Sequence, residues 1–331
     1  MPDRNPGDTP RLNRPFVGIP TFLRAGACTD LDQLAAAIAV MGVPFDEGSP
    51  FLPGSRLGPR ALREHSLRFT AGSSGFYDPE TKKRYLDEEI GHGLIADIGD
   101  SDIWPTDVDQ TFDNITAMVR GILAKGAMPV ILGGDHSISY PVVRAFEGDI
   151  YVVQLDAHTD YSPVVGNLRY TNGHAFRHIT AMSNVKRLIQ AGIRSLRHSP
   201  DMVEDSVAAG NLVINMGEFR ALGPAGLAEQ VPAGAACYVS IDVDVLDMSL
   251  VPGCVSGEPN GMSYAELRDT LAALAERAVI VGFDFVEVNP PLDVGTGATA
   301  YLGAHTVIEF LGRICEQPWW HKKRQRWLAG Q

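Results

Sequence analysis

Long apolar segments are missing from this sequence. The longest nearly apolar run, residues 34–45, is too short to cross a bilayer, which takes about 20 residues. The start of the chain, MPDRNPGDTPRLNRPF, is polar and has no apolar stretch of the kind that a signal peptide carries. We therefore expect a cytoplasmic protein that does not associate with membranes.

Paired cysteines and an excess of basic charge are missing as well. The four cysteines, at positions 28, 237, 254 and 315, form no C-x-x-C pair, which is typical of reduced thiols rather than of a disulfide framework or a zinc ribbon. With 28 Lys and Arg against 40 Asp and Glu, the formal net charge is −12. This balance disfavours nucleic acid as the main partner and is compatible with a cationic substrate or a bound metal. The basic, aromatic stretch WWHKKRQRW at 319–327 is interpreted as a frayed C-terminal segment or a subunit contact.

What the chain does contain is an alternation of short β-rich runs with longer helix-like patterns. Several runs are apolar on both faces, as in buried parallel strands, so the pattern predicts an α/β fold with a mostly parallel sheet. After a flexible arm at 1–15, no linker or repeat divides 16–331, and we expect one domain there. The strand candidates are 36–43, 93–98, 128–132, 150–155, 185–193, 212–216, 236–241 and 278–286.

Acidic or imidazole residues follow four of these strands. GGDHS comes after Leu132, DAHTD after Leu155, DVDVLD after Ile241 and EVNPP after Val286. Open α/β sheets bind ligands beyond the carboxyl ends of their strands, so we expect these segments to meet at one edge of the sheet.

Within each motif, the alternation of side chains along an extended segment places the acidic and imidazole groups on one face of that segment. Side chains of an extended segment alternate with period two, so Asp156, His158 and Asp160 share a face, as do Asp242 and Asp244. An oxygen-rich set with a minority of nitrogen and no thiolate suits Mn²⁺, Fe²⁺ or Ni²⁺ better than a closed zinc site. The candidate metal ligands are His136, Asp156, His158, Asp160, Asp242 and Asp244.

Charge counting indicates two metal ions. The four aspartates of the set carry four negative charges, which two divalent cations neutralise, and such a pair can share a hydroxide that is nucleophilic near neutral pH. Taken singly, each motif has a simpler interpretation: a surface turn or capping cluster for DAHTD, a tight turn for GGDHS, an edge strand with solvated acids for SIDVD. Their joint occurrence after predicted strands favours the metal site.

The same motifs resemble the metal signatures of the ureohydrolases, the arginase and agmatinase family. The resemblance includes GVPFDEGSPFLPGSRLGPRALRE near the front and GFDFVEVNPPLD near the back, and its front block is closer to the agmatinase and guanidinobutyrase branch. It implies a three-layer α/β/α sandwich with an eight-stranded, mostly parallel central sheet, assembled as trimers or hexamers. It also implies a binuclear manganese centre, with nickel in some relatives, that hydrolyses a guanidino group to urea and an amine.

Carried over by position, the resemblance assigns a role to each motif residue. Glu287 would receive the guanidinium, which a carboxylate matches well, and Asp160 would take a proton during the attack. Asp156 and Asp242 would bridge the metals. One metal would be held by His136, Asp156, Asp160 and Asp242, and the other by Asp156, His158, Asp242 and Asp244.

Two segments depart from the family pattern. Relatives usually carry a proton-relaying histidine where RYTNGHAFR has Asn172, and asparagine cannot relay protons. We expect His174 to take this role and both residues to touch the substrate; the alternatives are a leaving group that needs less help or a weak catalyst. In DMSLVPGCVSGEPNGMS, Cys254 and Ser256 lie beside the expected active-site mouth, which suggests a changed substrate.

The leading hypothesis is therefore a metal-dependent amidinohydrolase acting on a small cationic guanidino compound. Agmatine, 4-guanidinobutyrate, guanidine and a biguanide all remain open as substrates. The departure at Asn172 keeps a second class open, a non-catalytic or weakly active subunit that supports an active homologous partner. A two-metal phosphoesterase is disfavoured because the expected Asn-His-acid block is missing.

Overall fold

A nine-stranded parallel sheet forms the centre of this computed structural model, which describes residues 19–69 and 75–329. The sheet order is β1-β5-β2-β6-β11-β10-β7-β8-β9, and a separate antiparallel hairpin is formed by β3 and β4. The strands are β1 Gly26–Ala27, β2 Ile38–Val43, β3 Phe76–Asp78, β4 Lys83–Tyr85, β5 Ile95–Asp100, β6 Met128–Gly133, β7 Ile150–Leu155, β8 Val185–Ile193, β9 Leu212–Asn215, β10 Ala236–Asp242 and β11 Val279–Val286.

All eight predicted strands are present, but the expected strand number was wrong. The ninth strand, β1, is only two residues long and pairs with Ala96 and Asp97 of β5 at the edge of the sheet. Both of its residues are exposed, so it carries no hydrophobic pattern that could predict it.

Helices cover both faces of the sheet, which confirms the three-layer α/β/α sandwich. On one face the helices pack in the order α7, α8, α9, α1, and on the other in the order α3, α4, α5. Consecutive residues of a strand point to opposite faces of the sheet and pack into different cores. Val153 belongs to one hydrophobic cluster and Val152 to the other. The helices are α1 Gly58–Ser66, α2 Asp87–Gly91, α3 Val108–Ala124, α4 Ser139–Val143, α5 Ala175–Thr180, α6 Pro200–Ala208, α7 Met216–Ala228, α8 Tyr264–Arg277, α9 Ala298–Cys315 and α10 Pro318–Ala329.

The basic tail is part of helix α10, so its interpretation as a frayed segment was wrong. Trp320 is completely buried, and its Nε1 donates a hydrogen bond to Glu89 Oε1 over 2.8 Å. Arg324 donates to the same oxygen over 3.0 Å. The tail is therefore anchored by an indole inserted into the protein and by an ion pair.

Two further expectations concern the ends of the chain and the membrane. The predicted arm at 1–15 lies outside the described residues. Within 19–69 and 75–329, no helix has the length and apolar character that crossing a membrane requires.

Candidate metal centre and active site

The functional motifs converge because the strands that precede them are neighbours. Strands β6, β11, β10 and β7 lie side by side in the middle of the sheet and are all parallel, with one register shift, between Cys237 and Tyr238 of β10. Their carboxyl ends therefore carry GGDHS, EVNPP, DVDVLD and DAHTD to one edge, as predicted. A side chain on Gly134 of the first motif would collide with the carbonyl oxygen of Phe45, so only glycine allows this approach.

His136 faces three carboxylates. It lies in a short 3₁₀ turn after β6, and its Nδ1 is 2.9 Å from Asp156 Oδ2, 3.0 Å from Asp160 Oδ2 and 3.1 Å from Asp242 Oδ2. Among the described residues, this buried nitrogen has no partner that meets the geometry of a hydrogen bond. A buried lone pair surrounded by carboxylate oxygens at these distances is the arrangement that a metal ion would complete.

His158 forms the second half of the cluster. Its Nδ1 is 3.0 Å from Asp244 Oδ2 and 3.4 Å from Asp156 Oδ1, so Asp156 directs one oxygen to each histidine. Burial alone would lower the pKa of His158, but the charges and hydrogen bonds of Asp244 and Asp156 raise it to about 12. The cluster thus strongly favours positive charge at this position.

The close spacing of the carboxylates also favours a positive charge in the cluster. Burial, Asp244 and Asp156 raise the pKa of Asp242 well above its usual value. Asp242 Oδ1 already accepts from the backbone N–H of Asp244 over 2.8 Å, which leaves Oδ2 to face His136. The donors present fit divalent cations, because buried acids that repel one another are compensated best by a shared positive charge.

A buried hydrogen-bond chain behind His136 sets its tautomer. Ser240 Oγ donates to Asp284 Oδ1 over 2.6 Å, so its 2.8 Å contact with His136 Nε2 is one in which the imidazole donates. Asp284 also accepts from Ser139 Oγ and Tyr238 Oη at 2.7 and 2.8 Å. The proton on Nε2 leaves Nδ1 as the free ligand atom.

The sequence reasoning missed this chain. Its signal was nevertheless present, since Asp284 is a lone acid inside the apolar run VIVGFDFV and is completely buried. A charged residue in the middle of a buried strand requires partners, and here those partners lead to a metal ligand.

Glu287 is buried directly after β11, with one oxygen engaged and one unengaged. Its Oε1 accepts from the backbone N–H of His136 over 2.9 Å and from Asn172 Nδ2 over 3.3 Å, whereas Oε2 has no hydrogen-bond partner in residues 19–69 and 75–329. Burial, with the nearby charge of Asp135, raises the pKa of Glu287 to about 8. A buried carboxyl group with a spare oxygen is suited to receive a cation.

Two of these residues have strained backbones. Asp160 has φ 45° and Glu287 has φ 65°, in the left-handed region that residues other than glycine seldom occupy. Strain of this kind is retained where the surrounding structure holds a side chain in a functional direction.

A cavity of about 340 Å³ opens onto this cluster. Its wall includes the predicted residues Asn172 and Glu287 together with Arg197 and His198, which follow β8 and which sequence reasoning did not select. Their position after a strand adjoining β7 was the available signal. The predicted metal ligands that reach this wall are His158, Asp160, Asp242 and Asp244.

Comparison with known proteins identifies the family. Residues 36–312 match the model of the arginase family. The chain belongs to the arginase family. A guanidinopropionase from Pseudomonas aeruginosa is 35% identical over 311 residues, which cover 91% of this chain and 93% of that protein. The solved structure of proclavaminate amidino hydrolase from Streptomyces clavuligerus has a TM-score of 0.80 at 30% identity, covering 90% of this chain and 98% of that one. Formimidoylglutamase from Bacillus subtilis has a TM-score of 0.78 at 26% identity, covering 95% and 97%.

In this arginase-family chain, His174 lies behind the cavity wall rather than in it. Its side chain is buried; Nδ1 contacts Thr171 Oγ1 at 2.6 Å and Nε2 contacts the carbonyl oxygen of Pro163 at 3.3 Å. Burial lowers the pKa of His174. The structure therefore brings Asn172 to the cavity, and it does not bring the histidine that was expected to replace the relay.

Three further residues from the motifs have local roles. Asp135 accepts the backbone N–H of Ser137 over 2.9 Å and so caps the turn that carries His136. Asp46 accepts the backbone N–H groups of Gly54 and Arg56 at 2.6 and 3.2 Å and so holds the loop that contains them. The Cys254 sulfur lies within 4.8 Å of ligand oxygens of Asp242 and Asp244, and burial together with those charges raises the pKa of its thiol.

Proposed function

We propose that this protein hydrolyses the C–N bond of a small guanidino compound to give urea and an amine. The observation that carries the proposal is Glu287, which lines the same cavity as the candidate metal ligands and whose buried Oε2 has no hydrogen-bond partner among the described residues. A carboxylate held in this way matches the forked N–H groups of a guanidinium. The names of the similar proteins, a guanidinopropionase and a proclavaminate amidinohydrolase, support the same reaction class.

Two divalent metal ions would occupy the cluster, with Mn²⁺ the first choice and Ni²⁺ the alternative. Asp156 contacts both histidines, and Asp242 contacts His136 and has a ligand oxygen within 4.8 Å of one of Asp244, so these two aspartates would be shared between the ions; His136 and Asp160 would complete one half, and His158 with Asp244 the other. Such ions supply Lewis acidity that lets water attack near neutral pH.

The residues of the chain supply the remaining steps. Glu287 accepts N–H groups of the guanidinium and holds its carbon over the cluster, while Asn172 keeps Glu287 in place through a 3.3 Å hydrogen bond. Asp160 takes the proton of the attacking water. Because Asn172 carries no transferable proton and His174 lies outside the cavity, we assign the return of this proton to the leaving amine to Asp160 as well.

Urea release tests the proposal. Protein reconstituted with Mn²⁺ or Ni²⁺ is incubated with guanidine, agmatine, 4-guanidinobutyrate, 3-guanidinopropionate and a biguanide, and urea is quantified. We expect urea from at least one compound and its loss in Glu287→Gln, with two metals per chain retained in that variant. Two bound metals without urea from any compound would contradict the proposal.

The same material tests the second class and the assembly. A subunit that only supports a homologous partner would release urea only after that partner is added, and the complete ligand set counts against this role. Trimers or hexamers are expected from the family resemblance, and light scattering coupled to size exclusion measures the molar mass.

A further inference from the structure

Arg197 belongs to the cavity wall but has no role in the hydrolysis proposed above. Its side chain is 59% exposed, and Nε and Nη2 form one engaged edge. Nε donates to Glu258 Oε1 over 3.0 Å, and Nη2 donates to the carbonyl oxygen of Ser256 over 3.1 Å. Among the described residues, Nη1 has no hydrogen-bond partner. A guanidinium held by one edge leaves its other end available to a ligand.

Glu258 neutralises Arg197 without entering the cavity. Its Oε1 also accepts from Ser195 Oγ over 2.7 Å, and its side chain is only 18% exposed. Within the described part of the chain, the cavity lining includes Arg197 but not Glu258. A ligand in the cavity therefore meets the cationic member of this pair.

Among the described residues, the cavity lining has no spare carboxylate for a second cation. Its described lining has four acids: Asp160, Asp242 and Asp244, which face the metals, and Glu287, which is assigned to the guanidinium. A diamine-like substrate would bring an ammonium group that none of these acids is free to bind.

Histidine does not provide a competing anion site. His198 accepts the backbone N–H of Thr159 at Nε2 over 2.9 Å, and its Nδ1 donates to the carbonyl oxygen of Ser195 over 2.8 Å. His158 is a metal ligand in the proposed function. Of the described lining residues, Arg197 alone is a permanently charged cation.

We infer that the substrate bears a carboxylate at the end remote from its guanidino group, and that Arg197 binds this carboxylate. The two anchors lie on different sides of the cluster, since Glu287 contacts His136 and Arg197 Nη2 is 2.7 Å from His158 Nε2. A cavity of about 340 Å³ is near the lower end of small-molecule sites, roughly 300–1,000 Å³, which fits a short ω-guanidino acid. The inference rests on the proposed function and selects a substrate class for it.

Three compounds of similar length test the effect of the charge at the end of the substrate remote from its guanidino group. These are 4-guanidinobutyrate, the neutral butylguanidine and the cationic agmatine, each tested on the metal-loaded protein. We expect kcat/KM to be highest for 4-guanidinobutyrate. In Arg197→Gln its value should fall about 10- to 100-fold, as expected for the loss of a charge-assisted hydrogen bond, whereas that of butylguanidine should change far less.

Controls separate recognition from damage to the metal site. Arg60→Gln on α1, a matched loss of a side chain that is 75% exposed and distant from the cavity lining, should leave the preference unchanged. Metal content of each variant is measured by mass spectrometry. An equal loss for butylguanidine and 4-guanidinobutyrate in Arg197→Gln, or a wild-type preference for agmatine, would overturn the inference.

Calorimetric binding distinguishes the two proposals. If no guanidino compound of either panel gives urea but 4-guanidinobutyrate binds and Arg197→Gln abolishes that binding, the carboxylate subsite stands and the proposed hydrolysis fails. If urea is released and neither its rate nor the binding depends on Arg197, the hydrolysis stands and the subsite fails.

Discussion

His136 Nε2 lies 2.8 Å from Ser240 Oγ, and Ser240 passes its own hydrogen to the buried Asp284 over 2.6 Å. This relationship turns Nδ1, the other ring nitrogen, toward the carboxylates of Asp156, Asp160 and Asp242. The direction in which the imidazole presents Nδ1 is thus set by Ser240, which contacts the ring, and by Asp284, which acts through Ser240.

Ser240→Ala should weaken metal binding without removing a ligand. We expect affinity for Mn²⁺ to fall about 10- to 100-fold, because the imidazole loses the partner that fixes its tautomer. Equilibrium dialysis against Mn²⁺ measures this. Ser139→Ala is the matched control, since Ser139 donates to Asp284 at 2.7 Å and lies 3.2 Å from Ser240 Oγ but, in the described part of the chain, forms no hydrogen bond with His136. An equal loss in both variants would show that general damage to the core is responsible.

Metal should stabilise the fold. Binding to the native state alone adds about 2.7 kcal/mol at a free metal concentration of 100 Kd, so the melting temperature of chelator-treated protein should rise as Mn²⁺ is added. The rise should be greatly reduced in Asp242→Asn, which removes a bridging candidate. Differential scanning fluorimetry over a metal titration measures both, and an unchanged melting temperature in the wild type would contradict the site.

His174→Gln tests whether the buried histidine relays a proton. A relay contributes about 10²- to 10⁴-fold, whereas a residue that only supports its loop should cost less than about tenfold in kcat. We expect the smaller effect and an unchanged dependence of kcat on pH, because both ring nitrogens are engaged by Thr171 and Pro163. A large loss of kcat in a variant that still folds and binds metal would support the hypothesis that His174 relays a proton.

Arg63 should be important for stability rather than catalysis. It is buried, and its Nε and Nη2 bind both oxygens of Asp97 at 2.8 and 2.9 Å, while Nη1 binds Asp100 at 2.5 Å. Arg63→Ala leaves a buried carboxylate uncompensated and should cost about 3–5 kcal/mol of unfolding free energy. The exposed neighbour Arg60 pairs with Glu64, and Arg60→Ala should cost about 0–1 kcal/mol. Urea denaturation compares them, and similar losses would contradict the distinction.

The fold class and the cluster of candidate metal ligands were predictable because their signals are local. Period-two alternation placed Asp156, His158 and Asp160 together, and the end of each apolar strand located the motif that follows it. The structure then made neighbours of the four strands concerned, so independent local signals combined into one site.

Other features had no local signal or a misleading one. The sequence of helix α10 is polar and basic, which indicates an exposed segment. In the structure, however, Trp320 is buried and donates a hydrogen bond to Glu89, which is 231 residues away in the chain. The strand β1 is too short for any periodicity. His174 and Asn172 are separated by one residue, and the composition of their loop does not indicate which side chain turns toward the cavity.

By itself, the sequence determined the layered α/β architecture, the order of its strands along the chain and the acidic and imidazole groups at their ends. Those properties follow from hydrophobic periodicity and from the chemistry of neighbouring residues. The tertiary structure alone decided that Asn172 and Arg197 line the cavity, that His174 does not, and that Asp284 orients His136. These outcomes depend on contacts between distant segments, because the direction of a loop side chain is set by the surfaces that it packs against.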